Sequence, residues 1–183
     1  ISSTQTICAN QLSAILVGSS PSGGSGTYQY LWLKSSNGQA YSAAQGINNG
    51  KDYQPSFLNS TTYFKRVVFS SGLKDTSAAI IITVNPAPSI NAGNNISVCI
   101  GASVTLNAFS SDSVYWNNSI SNNQSFIPTA SNTYIATAQN GFGCQMKDTV
   151  VITVIPKPIA TITFANTAIC PGGSAKLKAN GGN

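Results

Sequence analysis

The sequence predicts an all-β chain of tandem immunoglobulin-like β-sandwich domains, with a third repeat truncated at the C-terminal end. Three observations carry this expectation. Short runs of β-branched and aromatic residues alternate with clusters of Gly, Asn, Ser and Pro. No amphipathic helical stretch interrupts them. Two kinds of segment recur along the chain, one opening and one closing each repeat.

The opening segments are "TICANQLSAILVGS" from Thr6, "SVCIGASVTLNAFS" from Ser97 and "AICPGGSAKLKANGG" from Ala168. Each sets an aliphatic residue before a cysteine (Cys8, Cys99, Cys170), then a small or turn-forming stretch and an alternating strand. The closing segments are "LKDTSAAIIITVNPAPSI" from Leu73 and "MKDTVVITVIPKPIA" from Met146. Both run Lys-Asp-Thr, an apolar strand and Pro-x-Pro, a short stiff connector because proline fixes its own φ. The repeats therefore cover residues 1–86 and 89–156, and residues 159–183 begin a third. The chain reads as a segment of a longer array. The array is not strict, since 91 positions separate Cys8 from Cys99 and 71 separate Cys99 from Cys170.

In the first repeat the predicted strands are Leu12–Val17, Tyr28–Lys34, Tyr63–Phe69 and Ala78–Val84. In the second they are Val104–Ala108, Ser113–Trp116, Thr133–Ala138 and Thr149–Val154. Trp32 and Trp116 occupy matching strands and read as core residues packed between sheets. Tyr63 and Tyr134 open matching late strands and read as a second pair of packing aromatics.

Composition excludes several classes of chemistry. Only 7% of the 183 residues are charged, against about 25% in an ordinary domain, while 42% are hydrophobic. There is no histidine and no glutamate, and the carboxylates are Asp52, Asp75, Asp112 and Asp148, scattered singly. General acid–base catalysis and zinc or calcium binding need such groups converging. No catalytic, cofactor-binding or metal-ligating residue is predicted, and the chain does not read as an enzyme. The net charge of +5 is spread thin, with Lys65-Arg66 the sole adjacent basic pair, so nucleic acid is not an expected partner and these cations read as solvated surface charges. No apolar run reaches the length of about 18 residues that spans a bilayer, so this segment is not expected to insert into a membrane.

Four cysteines and low charge point to an extracytoplasmic setting that permits disulfides. A Cys99–Cys144 bond would close a 46-residue loop within the second repeat, worth about 4 kcal/mol in a chain-entropy account. The first repeat has Leu73 where the second cysteine belongs, so Cys8 is expected free, and Cys170 likewise.

The stretches "VCIGASVTLNA", "YWNN" and "FIPTASNTYIATAQNGFGCQMKDTVVITVIPKP" resemble the Ig-like or PKD-like repeats of giant Bacteroidota surface proteins. The first repeat, with "YQYLWLKSSNG" and "TTYFKRVV", resembles a neighbouring variety. Such repeats occur in gliding-motility adhesins of the SprB kind and other cargo of type IX secretion. The resemblance implies an extracellular, outer-membrane-tethered segment acting in adhesion or movement. Its partners would be neighbouring repeats of the same chain, surface glycans, or other filament and cell-surface proteins, and no cofactor is implied. It also implies candidate O-glycan acceptors at Ser113 and Thr149, each following an aspartate.

Two functional classes follow, a structural spacer and a recognition module, with an accessory module of a secreted hydrolase as a third. The loop Gly18–Gln29 and the stretch Asn37–Tyr53 make the first repeat the better candidate for recognition, since binding sits on loops carried by rigid scaffolds.

Overall fold

The computed structural model describes residues 3–164, 170–174 and 177–180. Among the described residues the strands run β1 (Gln5–Cys8), β2 (Gln29–Ser35), β3 (Ser42–Ala43), β4 (Thr62–Ser70), β5 (Leu73–Thr76), β6 (Ile80–Asn85), β7 (Ile96–Cys99), β8 (Val104–Thr105), β9 (Ser113–Trp116), β10 (Ser125–Phe126), β11 (Asn132–Gln139), β12 (Gln145–Ile155), β13 (Thr161–Phe164) and β14 (Leu177–Asn180). Among the described residues there is no α-helix. Each of the first two repeats is an immunoglobulin-like β-sandwich.

The main sheet of the first repeat runs β1-β6-β4-β2-β3, with β5 added on β4. The β6-β4-β2-β3 part has the strand order of the G-F-C-C′ face of an immunoglobulin domain. β1 lies parallel to β6, Gln5 opposite Ile82 and Cys8 opposite Asn85, while the remaining pairs are antiparallel. Trp32 on β2 is fully buried, stacks on Tyr53 at 5.7 Å between ring centroids, and Tyr53 in turn meets Phe64 at 5.7 Å. Leu16, Ile80 and Ile82 close this core. Aromatic clusters of this kind bury large areas and fix ring geometry as well.

Two expected strands take other forms here. Leu12–Val17 is not a strand; within it Leu16 makes an isolated antiparallel bridge to Tyr53. Side-chain amides supply what a ladder would: Gln5 both accepts from and donates to the backbone of Ala14, at 2.8 and 3.2 Å, and Gln54 donates to Ser13 O at 3.0 Å. The last strand starts at Ile80 rather than Ala78, because the Ser77 hydroxyl accepts the Arg66 N–H at 2.9 Å and separates β5 from β6. In the second repeat the corresponding strand, β12, is continuous.

The second repeat has a sheet ordered β7-β12-β11-β9 and the pair β8-β10. β7 again runs parallel to the last strand, Ile96 opposite Ile152 and Cys99 opposite Ile155. Its core gathers Val104, Leu106, Trp116, Tyr134, Val150 and Ile152. The expected strand Val104–Ala108 is regular only over Val104–Thr105. Beyond it the Asn122 side chain accepts the Ala108 N–H at 2.8 Å, donates to Ala108 O at 3.1 Å and accepts the Trp116 indole N–H at 2.9 Å. One half-buried amide thus replaces a stretch of ladder and satisfies the tryptophan. In the first repeat the Trp32 indole donates to Gly50 O at 3.1 Å instead.

The turn after each cysteine is the same in all three repeats. The N–H groups of Gln11, Ala102 and Gly173 donate to the carbonyls of Cys8, Cys99 and Cys170 at 3.1, 3.0 and 2.9 Å. The third residue of each turn, Asn10, Gly101 or Gly172, has φ of 62°, 87° or 85°. Positive φ at that position is the requirement of a type II turn, met here by glycine or asparagine. In the third repeat β13 and β14 pair antiparallel, while Ala168, Ile169, Ala175, Lys176 and Gly181 to Asn183 of its opening segment lie outside the described residues.

The chain forms two compact units. The first comprises Ile1–Ser89, Ser111–Ser113 and Ala138–Met146; the second comprises Ile90–Ser110, Val114–Thr137 and Lys147–Asn183. The hairpin between β11 and β12 thus belongs to the first unit, where the Asn140 side chain donates to Pro86 O at 2.8 Å.

The same hairpin corrects the cysteine pairing. Cys144 bonds Cys8, with Cα atoms 5.6 Å apart, and Cys99 and Cys170 are free and exposed. The expected Cys99–Cys144 bond is excluded by register. Cys99 lies opposite Ile155 at the far end of β12, whereas Cys144 immediately precedes its start. An 11-residue strand extends roughly 35 Å, and a disulfide needs Cα atoms within about 7 Å.

Non-reducing peptide mapping should recover Cys8 linked to Cys144, with Cys99 and Cys170 alkylated by iodoacetamide in the native protein. A bond across 136 positions is worth on the order of 4–5 kcal/mol in the chain-entropy account. Cys8→Ser should therefore lower the melting temperature markedly, and Cys99→Ser should leave it unchanged. A Cys99–Cys144 peptide would contradict this register.

Candidate functional site

The site is built by one residue of β4. The strand alternates so that Thr62, Phe64 and Arg66 are buried on one face. A hydroxyl just before the strand locks its register: Thr61 Oγ1 accepts the Val84 N–H at 3.1 Å. Ser131 Oγ does the same for Val154 at 2.9 Å in the second repeat. With Thr61 matched to Ser131, Phe64 matches Tyr134 and Arg66 matches Ala136. The expected pairing of Tyr63 with Tyr134 is therefore out by one residue. Tyr63 is half-buried on the other face, where a Cβ on Gly38 would come within 3.2 Å of its ring.

Arg66 is 3% exposed, whereas the sequence reading placed it among solvated surface charges. Its Nη1 donates to Lys51 O at 3.0 Å and its Nη2 to Ser19 O at 2.9 Å. The guanidinium carbon lies 5.2 Å from the centre of the Tyr30 ring. Its Nε is buried without a hydrogen-bond partner. The parity of β4 was the signal available in the sequence, since Arg66 shares the side of Thr62 and Phe64.

The loop Gly18–Gln29 folds over this guanidinium. Gly18 donates its N–H to Asp52 Oδ1 at 2.8 Å, and a Cβ there would collide with Arg66 Nη1 and Lys51 O. Gly24, at φ 68°, lies where a Cβ would strike the Ser70 side chain. Tyr28 OH donates to Gly23 O at 2.5 Å and the Ser25 N–H to Ser70 Oγ at 3.1 Å. The loop is an addition to the common framework: 24 positions separate Cys8 from Trp32, but 17 separate Cys99 from Trp116.

Between the loop, β4 and β5 lies a cavity of about 580 Å³. Arg66 brings positive charge, and Ser19, Ser20, Ser22, Tyr28, Ser70 and Ser77 bring hydroxyls; of the lining residues on β5, Asp75 lies opposite Val68 on the face of Arg66, and Lys74 lies opposite Phe69 on the other face. The stretch Asn37–Tyr53 contributes to a second cavity of about 430 Å³ that includes Gln45, Tyr53 and Phe57. There the Tyr53 phenol donates to Gln45 O at 2.8 Å, and burial pushes its pKa up. Both loops singled out by sequence thus border cavities in the first repeat.

The remaining predicted residues are not brought together. Ser113 starts β9 and Thr149 lies within β12, each exposed on its own strand. Asp148, beside Thr149, has a structural task. Its Oδ2 accepts the Ala92 N–H and its Oδ1 the Thr149 N–H, each at 2.8 Å. These bonds, Ala92 first, hold its carboxyl below the usual carboxylate range against a smaller opposing effect of burial. Among the described residues no group of three or more His, Cys, Asp or Glu could hold a metal ion.

The family model described as "Domain of unknown function (DUF8696)" matches residues 1–86. No curated protein matches the chain. Among solved structures, the insect immune protein hemolin is similar at 14% identity and a TM-score of 0.42, over 85% of this chain and 46% of hemolin. Immunoglobulin domains 1–4 of Sidekick-1 are similar at 14% identity and a TM-score of 0.34, over 99% of this chain and 55% of that one. The N-terminal four Ig domains of Dscam1 isoform 8.4 are similar at 12% identity and a TM-score of 0.37, over 83% and 43%. The chain spans about half the length of each of these three.

Gly18→Ala should displace the Arg66 guanidinium and destabilise the first repeat by about 1–3 kcal/mol, read by chemical denaturation followed through Trp32. A neutral substitution would show that the loop does not seat Arg66 as described.

A lowered folded-state pKa makes Asp148 contribute stability that is present above its unfolded value, near 4, and lost as pH falls through the lower folded value. Asp148→Asn should lower the second repeat's melting temperature at pH 7 and narrow its difference from wild type at pH 2–3. An equal difference at both pH values would contradict the assignment.

Proposed function

We propose that this chain is a non-catalytic repeat segment of a large bacterial cell-surface adhesin, exported and displayed outside the cell, whose repeats serve as a semi-rigid spacer in adhesion or gliding motility. One observation carries the reading. The same turn recurs after three successive cysteines, and in the first two repeats it follows a strand parallel to the repeat's last strand. A chain that reuses one supersecondary device in series is built to extend by repetition. The connectors Pro86-Ala87-Pro88 and Pro156-Lys157-Pro158 support it, since each restricts both prolines and the residues before them. Ser113 and Thr149 are kept as proposed O-glycan acceptors of the displayed protein, both being exposed hydroxyls.

A recognition role for the first repeat is the second reading. It is favoured by the cavity under the loop Gly18–Gln29, which the sister repeat has no added loop to form.

Small-angle scattering tests the spacer. The maximum dimension should rise nearly linearly as copies of residues 89–158 are added, and replacing each Pro-x-Pro by Gly-Ser-Gly should shorten the particle. A compact particle indifferent to that replacement would overturn the reading. Antibodies raised against the chain should label intact cells of the source bacterium, and labelling confined to permeabilised cells would contradict surface display.

A further inference from the structure

The Cys8–Cys144 bond joins successive repeats of the sequence, yet both cysteines lie in one compact unit. The first unit takes in Ala138–Met146, the hairpin of the repeat that follows it. That hairpin is held at two points beside the connector. Asn140 donates to Pro86 O, in the first residue of Pro86-Ala87-Pro88, and Cys144 bonds Cys8. Cys8 stands opposite Asn85, the residue just before the connector, and the Ala9 N–H donates to Asn85 O at 2.9 Å.

The second repeat builds the receiving half of this arrangement again, at its own connector. Cys99 stands opposite Ile155, the residue just before Pro156-Lys157-Pro158, and the Ile100 N–H donates to Ile155 O at 2.9 Å. The strand direction, the place of the cysteine relative to the connector and the turn that follows it are all the same as at Cys8. Cys8 is bonded, whereas Cys99 is a free, exposed thiol. A hairpin cysteine that reaches back to the preceding repeat also accounts for the cysteine pattern. Pairing within repeats strands Cys8, because Leu73 holds the hairpin place in the first repeat. Pairing between successive repeats joins Cys8 to Cys144 and asks nothing of Leu73. Cys99 is then the receiving cysteine of the next joint.

We propose that Cys99 is a disulfide site for the repeat that follows, its partner being the cysteine of the third repeat's hairpin, the counterpart of Cys144. The proposal rests on the reading of the chain as a serial array. In the reaction each thiol loses its S–H bond and one S–S bond forms. The two electrons and two protons pass to the disulfide of an exported thiol oxidase, which leaves as a dithiol. Each joint so equipped is tied twice, by its peptide connector and by the bond beside it.

A chain of residues 1–158 followed by a second copy of residues 89–158 tests this with known sequence, since it places a hairpin bearing Cys144 after Cys99. Cys99→Ser in the added copy removes the thiol that no later repeat would receive. The chain is reduced, then reoxidised with oxidised glutathione as electron acceptor. Peptide mapping should recover Cys8 linked to the first Cys144 and Cys99 linked to the added one. Alkylation of Cys99 by iodoacetamide should fall at least about tenfold relative to the 183-residue chain, because structural disulfides resist a glutathione pool. Cys144→Ser in the added copy, with the fold intact by its spectrum, should return Cys99 to the thiol form. A Cys99 that stays fully alkylated in the folded longer chain would overturn the proposal. So would a link that survives Cys144→Ser in the added copy, or one to a second molecule. In the chain extended through its own third repeat, mapping should join Cys99 to that repeat's hairpin, and a hairpin without cysteine would overturn the proposal for this joint. Linkage and elongation are separate readouts. A free Cys99 in an array whose maximum dimension still grows linearly overturns the staple alone. A bonded Cys99 in a particle that stays compact supports the staple and overturns the spacer.

Discussion

The hydroxyl of Thr61, and of Ser131 one repeat later, holds the position on which the two sandwiches depend. Each accepts a backbone N–H from the last strand, Val84 or Val154, and so sets which residues of β4 and β11 face inward. Side chains alternate with period two, so a slip of one residue would exchange the core face for the solvent face. With the lock in place, Phe64 and Tyr134 fall on the core, beside Trp32 and Trp116 respectively. The same parity carries Arg66 inward, and the whole candidate site follows from that placement.

The two repeats meet common demands with different means. Both bury an indole N–H, which must find an acceptor. The first offers a backbone carbonyl of the stretch before Tyr53, and the second uses Asn122, which also stands in for a missing strand. Where the second repeat fills its core with Ala136, the first accepts a cation and surrounds it with two carbonyls that replace water, Ser19 O from the added loop and Lys51 O from the stretch before Tyr53. The price is a loop tied to the cation, since Gly18 leaves room for no side chain.

Much of the fold was legible because it is written in period-two runs and punctuation. The β architecture, the cysteine turns and the two core tryptophans are local signals, and local chemistry carries them. Leu12–Val17 was misread because Gln5 and Gln54 satisfy its backbone from a distance, which no run of apolar residues reveals. The cysteine pairing failed for a like reason. Loop length favoured Cys99 with Cys144, but the parallel pairing of β7 with β12 puts Cys99 at the wrong end of the strand. Of the site, both loops were visible and Arg66 was not, because a charged residue beside a lysine reads as surface unless strand parity is applied first.

The central claim is that Arg66 and Ala136 occupy one position of a shared framework and that only the first repeat carries the acceptors a buried cation needs. Chemical denaturation followed by amide exchange at Ile82 and Ile152, each fully buried in its own repeat, measures this directly for Arg66→Ala and Ala136→Arg. Arg66→Ala should cost the first repeat about 1–3 kcal/mol, since it frees two carbonyls and empties some volume. Ala136→Arg should cost the second repeat more than about 4 kcal/mol, having no loop to receive the charge. If Ala136→Arg is tolerated as well as Arg66→Ala, the two positions are not equivalent and the account is wrong.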